Sequence, residues 1–358
     1  MARTIKLTSG SIFNGSPITF TIQPDVITGV DSDKKTVYPS FHRVILEVKC
    51  GMSGGNFETI KMSAPVEQVS DSAEVTIDIS SALRTFRDSY EYSPDVTTYP
   101  LVKFALKVYD EYMLSGEVHQ VGEILYPSEV DGEQSYFCTI FGAFTDMERM
   151  KSNAFRDVLA FSRKPSSAPQ IVAVGETYAY TPSYAAAQSL LGSTALAAPA
   201  SAETTITKEG LQTVNGLSLF ALPQEEAHTR QVFRFINGFG VLESVSVPRV
   251  YSKKFAVTST SYNVIRQETF NKFSRAVVHK TGNRESWLFS TDPLNEDWLH
   301  WYLHEFLMSE HIWAQVSGTW IPCTVSVEDD TTFLDRTQHE VHTVSFTAIL
   351  DCNGSPLL

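Results

Sequence analysis

A two-residue alternation of apolar and polar side chains, recurring through the first third, most constrains how this chain can fold. Ile18, Phe20 and Ile22 alternate in SPITFTIQ, and Val44, Leu46, Val48 and Cys50 in HRVILEVKC. Val75, Ile77 and Ile79 follow in AEVTIDIS, then Val102, Phe104, Leu106 and Val108 in PLVKFALKVYD. A β-strand sends successive side chains to opposite faces, so this period buries one face and wets the other. Turn-forming clusters such as SGSIFNGSP and GMSGGN separate the runs. The pattern predicts an antiparallel β-sandwich over residues 1–130. One short helix is expected at SSALRTFRDSY, with Ser80 or Ser81 as cap and Leu83 and Phe86 as its apolar edge.

Residues 131–230 read as a connecting region. SYFCTIFGAF has the look of a buried strand, and DMERMKSNAFRDVLAF has helical spacing, broken at Lys164-Pro165. IVAVGETYAY reads as a further strand. Residues 182–204, built mostly of Ala, Ser, Thr, Leu and Pro, fit either a surface loop or an arm that orders against a neighbouring subunit. Residues 231–358 read as an α+β module. Its strands are RQVFRFINGFGVLESVSV, KKFAVTSTSYNVI, TWIPCTVSVED and HTVSFTAILDC. Its helix runs from Pro293 to Glu310, with Asp292 as N-cap, Pro293 in the first turn, and Glu296 and Asp297 at the positive end of the dipole. Trp298, Leu299, Tyr302, Leu303 and Phe306 would pack on a sheet. Trp301, His304 and Met308 widen the apolar belt toward a second partner. The fold class expected is mainly β with minor α.

The chain has 358 residues, with 41 acidic and 28 basic side chains and a net charge of −13. That balance argues against coating nucleic acid or an anionic membrane, since both rely on Lys and Arg meeting phosphates. No run of 18 apolar residues is present, so no spanning helix is expected. The N-terminus carries no apolar run after its basic residues, and reduced, buried thiols are expected for Cys50, Cys138, Cys323 and Cys352. If TWIPCTVSV and HTVSFTAILDC pair, Cys323 and Cys352 fall nearly opposite, where a disulfide is sterically conceivable.

Catalytic patterns are sparse. Gly51-Met52-Ser53-Gly54-Gly55 matches the nucleophile elbow, but the NFETIKMSA that follows looks extended, which favours a hairpin turn over a reactive serine. His300 and His304 share a helix face and could hold a metal with Glu305 or His311, yet HWYLHE is not H-E-x-x-H. His339-Glu340-Val341-His342 is one residue short of that motif. Asp31-Ser32-Asp33 lacks the glycine and third acid of a calcium loop, and Glu328-Asp329-Asp330 reads as a solvated turn. No phosphate loop or dinucleotide fingerprint is present. The expectation is a protein with no cofactor, no metal and no catalytic residue.

Several stretches together resemble distal-tail or minor-tail structural proteins of phages and prophages of Bacteroidetes-type gut bacteria. They are FNGSPITF, TIDISSALR, FSRKPSSAPQIVAVGETYAY, FRFINGFGVLESVSVPR, YNVIRQETF, DPLNEDWLHWYLHEFLMSEHIWAQVSGTWIPCTV and HTVSFTAILDC. The resemblance implies a structural, non-enzymatic role in a virion tail assembled in the host cytoplasm. It also implies a homo-oligomeric ring, sixfold by analogy, contacting other tail proteins. The aromatic-rich C-terminal module nominates Trp298, Trp301, Tyr302, Met308, Trp313 and Trp320 as subunit-interface residues. A carbohydrate-binding or adhesion module, meeting a host surface glycan, is the alternative.

Overall fold

A computed structural model describes residues 4–9, 12–30, 36–37, 39, 41–66, 73–114, 116–128, 135–150, 160–183, 198–249, 252–264, 275–327 and 342–350. The chain is mainly β with few helices, and among the described residues no helix is long and apolar enough to cross a membrane. It divides into two interleaved units. Unit 1 comprises 1–161, 181–201 and 238–241, and unit 2 comprises 162–180, 202–237 and 242–358.

Unit 1 holds β1 (Ile5–Ser9), β2 (Thr19–Ile22), β3 (Gly29–Val30), β4 (Thr36–Val37), β5 (Phe41–Met52), β6 (Glu58–Pro65), β7 (Val75–Asp78), α1 (Ser80–Asp88), β8 (Val102–Leu114), β9 (Glu117–Tyr126), β10 (Phe137–Thr139) and α2 (Asp146–Met150). A three-stranded sheet, β1-β2-β7, faces a larger one in the order β10-β8-β5-β6, with β9 also on β8. All these pairings are antiparallel. Ile18, Phe20 and Ile22 meet Val44, Leu46, Val48, Phe104, Leu106 and Val108 in one core, so the predicted inward phase and sandwich are what the chain builds. Burying each such side chain contributes about 1.5–3 kcal/mol.

The α1 cap differs from expectation. Ile79 occupies the N-cap position, and Ser80 lies inside the helix. The Asp78 carboxylate accepts from both Ser80 N (2.9 Å) and Ile18 N (3.1 Å), so one acid satisfies the helix start and ties it to the strand entering β2. A second apolar centre joins Phe13, Phe161 and Phe239. There Gly142 adopts φ +106°, and an added Cβ would lie 2.3 Å from the Phe239 carbonyl carbon. The segment DMERMKSNAFRDVLAF begins as α2, and its residues 151–159 lie outside the described residues. So do 184–197 of the Ala/Ser-rich stretch, whose described end is tied down: Tyr99 N donates to Pro199 O, and the Tyr99 and Ser201 hydroxyls meet at 2.7 Å.

Unit 2 holds β11 (Gln170–Ala173), β12 (Thr177–Tyr180), β13 (Ala202–Thr205), β14 (Gly210–Val214), β15 (Leu217–Leu222), β16 (Arg230–Ile236), β17 (Leu242–Pro248), β18 (Ser252–Val264), β19 (Arg275–Ser290), α3 (Glu296–Trp301), β20 (Ile312–Val316), β21 (Thr319–Ser326) and β22 (Ser345–Leu350). A seven-stranded sheet runs β17-β16-β20-β21-β22-β19-β18, beside the small sheets β11-β15-β14 and β12-β13. IVAVGETYAY is two strands rather than one, broken where Gly175 turns at φ +94°. RQVFRFINGFGVLESVSV likewise folds into the antiparallel pair β16–β17.

The predicted long helix is α-helical only over α3 and continues as a π-helical turn, Tyr302–Phe306. Its cap is Asn295, whose Oδ1 accepts from Trp298 N at 3.0 Å, because Asp292 is held by an arginine instead. Tyr302, Glu305 and Phe306, spaced i, i+3 and i+4, turn inward on one face of this turn.

The terminal hairpin of the sheet is unusually long. β18 pairs β19 from Ser252↔Leu288 to Val264↔Arg275, whereas β19 pairs β22 only through Glu285–Ser290. Among the described residues, Arg275–Arg284 and the facing part of β18 therefore form a two-stranded ribbon about 30 Å long beyond the sheet.

The Gly142 geometry generates a stability prediction. Gly142→Ala combines a left-handed φ with a backbone clash and should cost about 3 kcal/mol, lowering the melting temperature by on the order of 10 °C. Scanning calorimetry of the variant checks it, and an unchanged transition contradicts the described packing.

Candidate functional site

β16 is buried along its whole length although it carries two arginines. Its odd-numbered residues Phe233 and Phe235 enter an aromatic core. Phe233 meets Phe289 and Phe306 at 5.2 and 5.6 Å between centroids, and Phe235 meets Trp301 and Phe306 at 5.7 and 5.3 Å. Alternation turns Arg230 and Arg234 to the opposite face, where burial of a guanidinium requires full pairing. Arg230 Nη1 donates to both Asp292 oxygens (2.9 and 2.8 Å), and Nη2 to the Ile171 and Ser246 carbonyls (3.0 and 2.8 Å). Its Nε donates to Ser246 Oγ at 3.2 Å, and that hydroxyl donates to Glu176 Oε1 at 3.0 Å. Burial raises the Glu176 carboxyl pKa above its ordinary value, while Ser246, the backbone and Arg230 oppose the shift. Arg234 pairs with Glu203 at 2.6 Å and stacks over Trp320, 4.3 Å from the ring centroid.

Beside Asp292 lies an open cleft of about 260 Å³ lined by Ala168, Pro169, Gln170, Ile171, Ser246, Asp292–Asn295, Trp298 and Tyr302. Two hydrogen bonds fix one wall: Trp298 Nε1 donates to Ala168 O (2.9 Å), and Asn295 Nδ2 to Ser167 Oγ (3.2 Å). Burial raises the Tyr302 phenol pKa, Asp292 adds to the shift, and Arg230 opposes it. The cleft thus combines apolar walls with amide and hydroxyl groups and the carboxylate of Asp292, which is itself paired with Arg230.

A second polar cluster is fully enclosed. Lys164 Nζ donates to Tyr178 Oη (2.7 Å) and to the Ser244 carbonyl, and lies 3.4 Å from Glu243 and 5.1 Å from the Trp301 ring centroid. Glu243 also accepts from Ser162 Oγ and from Asn237 Nδ2 (3.0 Å). Burial pulls the Lys164 pKa down to about 8 against the opposing pull of Glu243, and drives the Tyr178 phenol upward. With both charged side chains only 2% exposed, this cluster is an internal ion pair.

Of the six nominated interface residues, Trp298, Trp301 and Tyr302 lie in the aromatic core, and Trp313 is buried on the face shared with Arg234. Their apolar area is spent inside the chain. Met308 is 71% exposed and Trp320 is half-buried under Arg234, so only these two offer surface.

Ser53 occupies the turn between β5 and β6. Its N–H donates to Leu101 O (2.8 Å), and a strand follows where a nucleophile elbow requires a helix. The His300 and His304 rings lie parallel on the exposed face, 5.8 Å apart, while Glu305 turns inward to Arg163. Burial lowers the His311 pKa, and Glu310 opposes the shift. Among the described residues no three His, Cys, Asp or Glu side chains cluster as a metal site. Asp31, Asp33, Glu328–Asp330, His339 and Cys352 lie outside the described residues. β21 and β22 pair as expected, with Cys323 opposite Leu350. Cys50 and Cys138 are buried free thiols, and burial pushes Cys50 to about 11.

Sequence pattern marked one strand of the ribbon, KKFAVTSTSYNVI, which is β18, and missed its partner β19. In the structure Gly282 falls at a bulge, where pairing steps from Val257↔Asn283 to Thr258↔Thr281 and the strand continues. No family model, curated protein or solved structure matches this chain.

The enclosed ion pair generates a pH-dependent prediction. Below pH 8 Lys164 is charged in folded and unfolded chains alike. Between about 8 and its ordinary 10.5 the unfolded chain holds the extra proton, so this group's contribution to stability rises with pH across that window. Glu243→Gln strands the ammonium and should cost about 3–5 kcal/mol at pH 7. The loss should shrink toward pH 9, as the amine sheds its proton, and Lys164→Met/Glu243→Gln should recover most of it. Urea melts at the two pH values check both. A pH-independent loss contradicts the buried-charge origin.

Proposed function

We propose that this chain is a structural component of a phage or prophage tail, a ring-forming distal-tail or minor-tail protein. The observation that carries the reading is the ribbon of β18 and β19. A two-stranded ribbon is marginal in water by itself, and among the described residues β18 is the terminal strand of the sheet, an edge to which another chain can pair or dock. The two aromatic-rich cores supply the rigid bodies that a repeating assembly needs. The stretches resembling tail proteins add to this, since YNVIRQETF begins within β18 and the DPLNEDWLHWYLHEF stretch surrounds α3.

A second reading, a carbohydrate-binding module, is favoured by the cleft beside Asp292, whose size and lining suit a sugar ring. Glycan recognition at a tail tip would join the two readings.

Light scattering with negative-stain imaging of the purified chain tests the assembly reading. Closed rings, or a mass that grows with concentration, are the expected result, and a strict monomer at high concentration overturns it. A glycan array tests the second reading: binding should be lost on Ile171→Trp, which fills the cleft. Binding that survives the substitution removes the cleft from consideration.

A further inference from the structure

Charge is segregated in this chain in a way that the overall −13 conceals. The paired strands of the hairpin, Ser252–Val264 and Arg275–Leu288, contain Lys253, Lys254, Arg275, Lys280 and Arg284 and a single acid, Glu285 at its root. They carry +4, so the remainder of the chain carries −17. Lys253 is engaged at the root of the ribbon, 3.9 Å from Glu285 and 3.8 Å from the Trp287 ring centroid. Lys254 also lies at the root, opposite Ser286, and the other three positions are spread along the ribbon, at Ala256↔Arg284, Ser259↔Lys280 and Val264↔Arg275.

We infer that the ribbon docks onto an acidic surface of a second copy of this chain and that this contact is electrostatically steered. This rests on the assembly reading above and deepens it by naming the element and the partner. The commonest basic partner-seeking element meets nucleic acid, but a chain whose remaining residues carry −17 repels a phosphate backbone while attracting the ribbon of its neighbour. The contact joins two different surfaces of identical chains. It is therefore heterologous and propagates head to tail, closing into a ring or extending as a filament. Lysines on an edge strand also serve simply to discourage pairing, a role that charge of either sign fulfils. Reversing the sign separates the two roles.

The experiment compares the full chain with Lys254→Glu/Arg275→Glu/Lys280→Glu/Arg284→Glu by light scattering from about 50 mM to about 500 mM NaCl, a range over which screening shortens severalfold. The parent should associate at low salt and dissociate as salt rises. The variant, with an unchanged circular dichroism spectrum, should associate at least tenfold more weakly. If that variant does not fold, Lys254→Gln/Arg284→Gln and the salt titration of the parent carry the same test. A parent that assembles with no salt dependence, or a reversed variant that assembles equally well, overturns the ribbon contact and leaves the ring reading standing. A parent that is monomeric at every salt overturns both. A monomer that shifts in mass only with a duplex DNA fragment overturns the second-copy partner in favour of nucleic acid.

Discussion

Unit 2 depends on a strand that has no wet face. β16 sits inside the seven-stranded sheet, closed by the aromatic core on one side and by a polar layer on the other, yet it carries Arg230 and Arg234. Burial of an unpaired guanidinium is prohibitive, so the surrounding chain is arranged around those two cations. All three nitrogens of the Arg230 guanidinium donate, to Asp292, to the Ser246 hydroxyl and carbonyl and to the Ile171 carbonyl. Arg234 draws in Glu203 and Trp320. These contacts place β11, β13 and the segment before α3, and thereby shape the cleft that Asp292 and Ile171 line.

The legible part of the fold was the part encoded locally. Alternation marked β2, β5, β7 and β8 and their inward phase, because a half-buried strand must repeat every two residues. The α3 cap was misread for a non-local reason: Asp292 is chemically suited to the position, but Arg230, 62 residues away, claims its carboxylate and Asn295 caps instead. The belt of this helix carried two readings at once: Trp298, Leu299, Tyr302 and Phe306 pack on the sheet as their spacing suggests, and that core takes Trp298, Trp301 and Tyr302 away from the surface nominated for a subunit interface. A broad apolar belt on a helix fits either a partner or a large core, and local pattern does not choose between them. The Lys164–Glu243 pair was equally invisible, since its members come from segments about 80 residues apart and neither sits in a motif.

The ribbon illustrates the opposite case, in which the signal was present but of another kind. KKFAVTSTSYNVI marks β18, whereas Gly282 interrupts the period of β19 at the bulge. What distinguishes the ribbon is charge: a basic stretch in an acidic chain. A stretch ordered as backbone pairing and opposite in sign to the rest of the chain has the physical character of a connector between copies.

Hydrogen–deuterium exchange on the dilute monomer and on the concentrated, low-salt chain tests this account most directly. The account predicts that amides of β18 and of Arg275–Arg284 exchange quickly in the monomer and slow strongly on assembly, while those of β16 stay equally protected in both. Ribbon amides whose exchange is the same in monomer and assembly would contradict it.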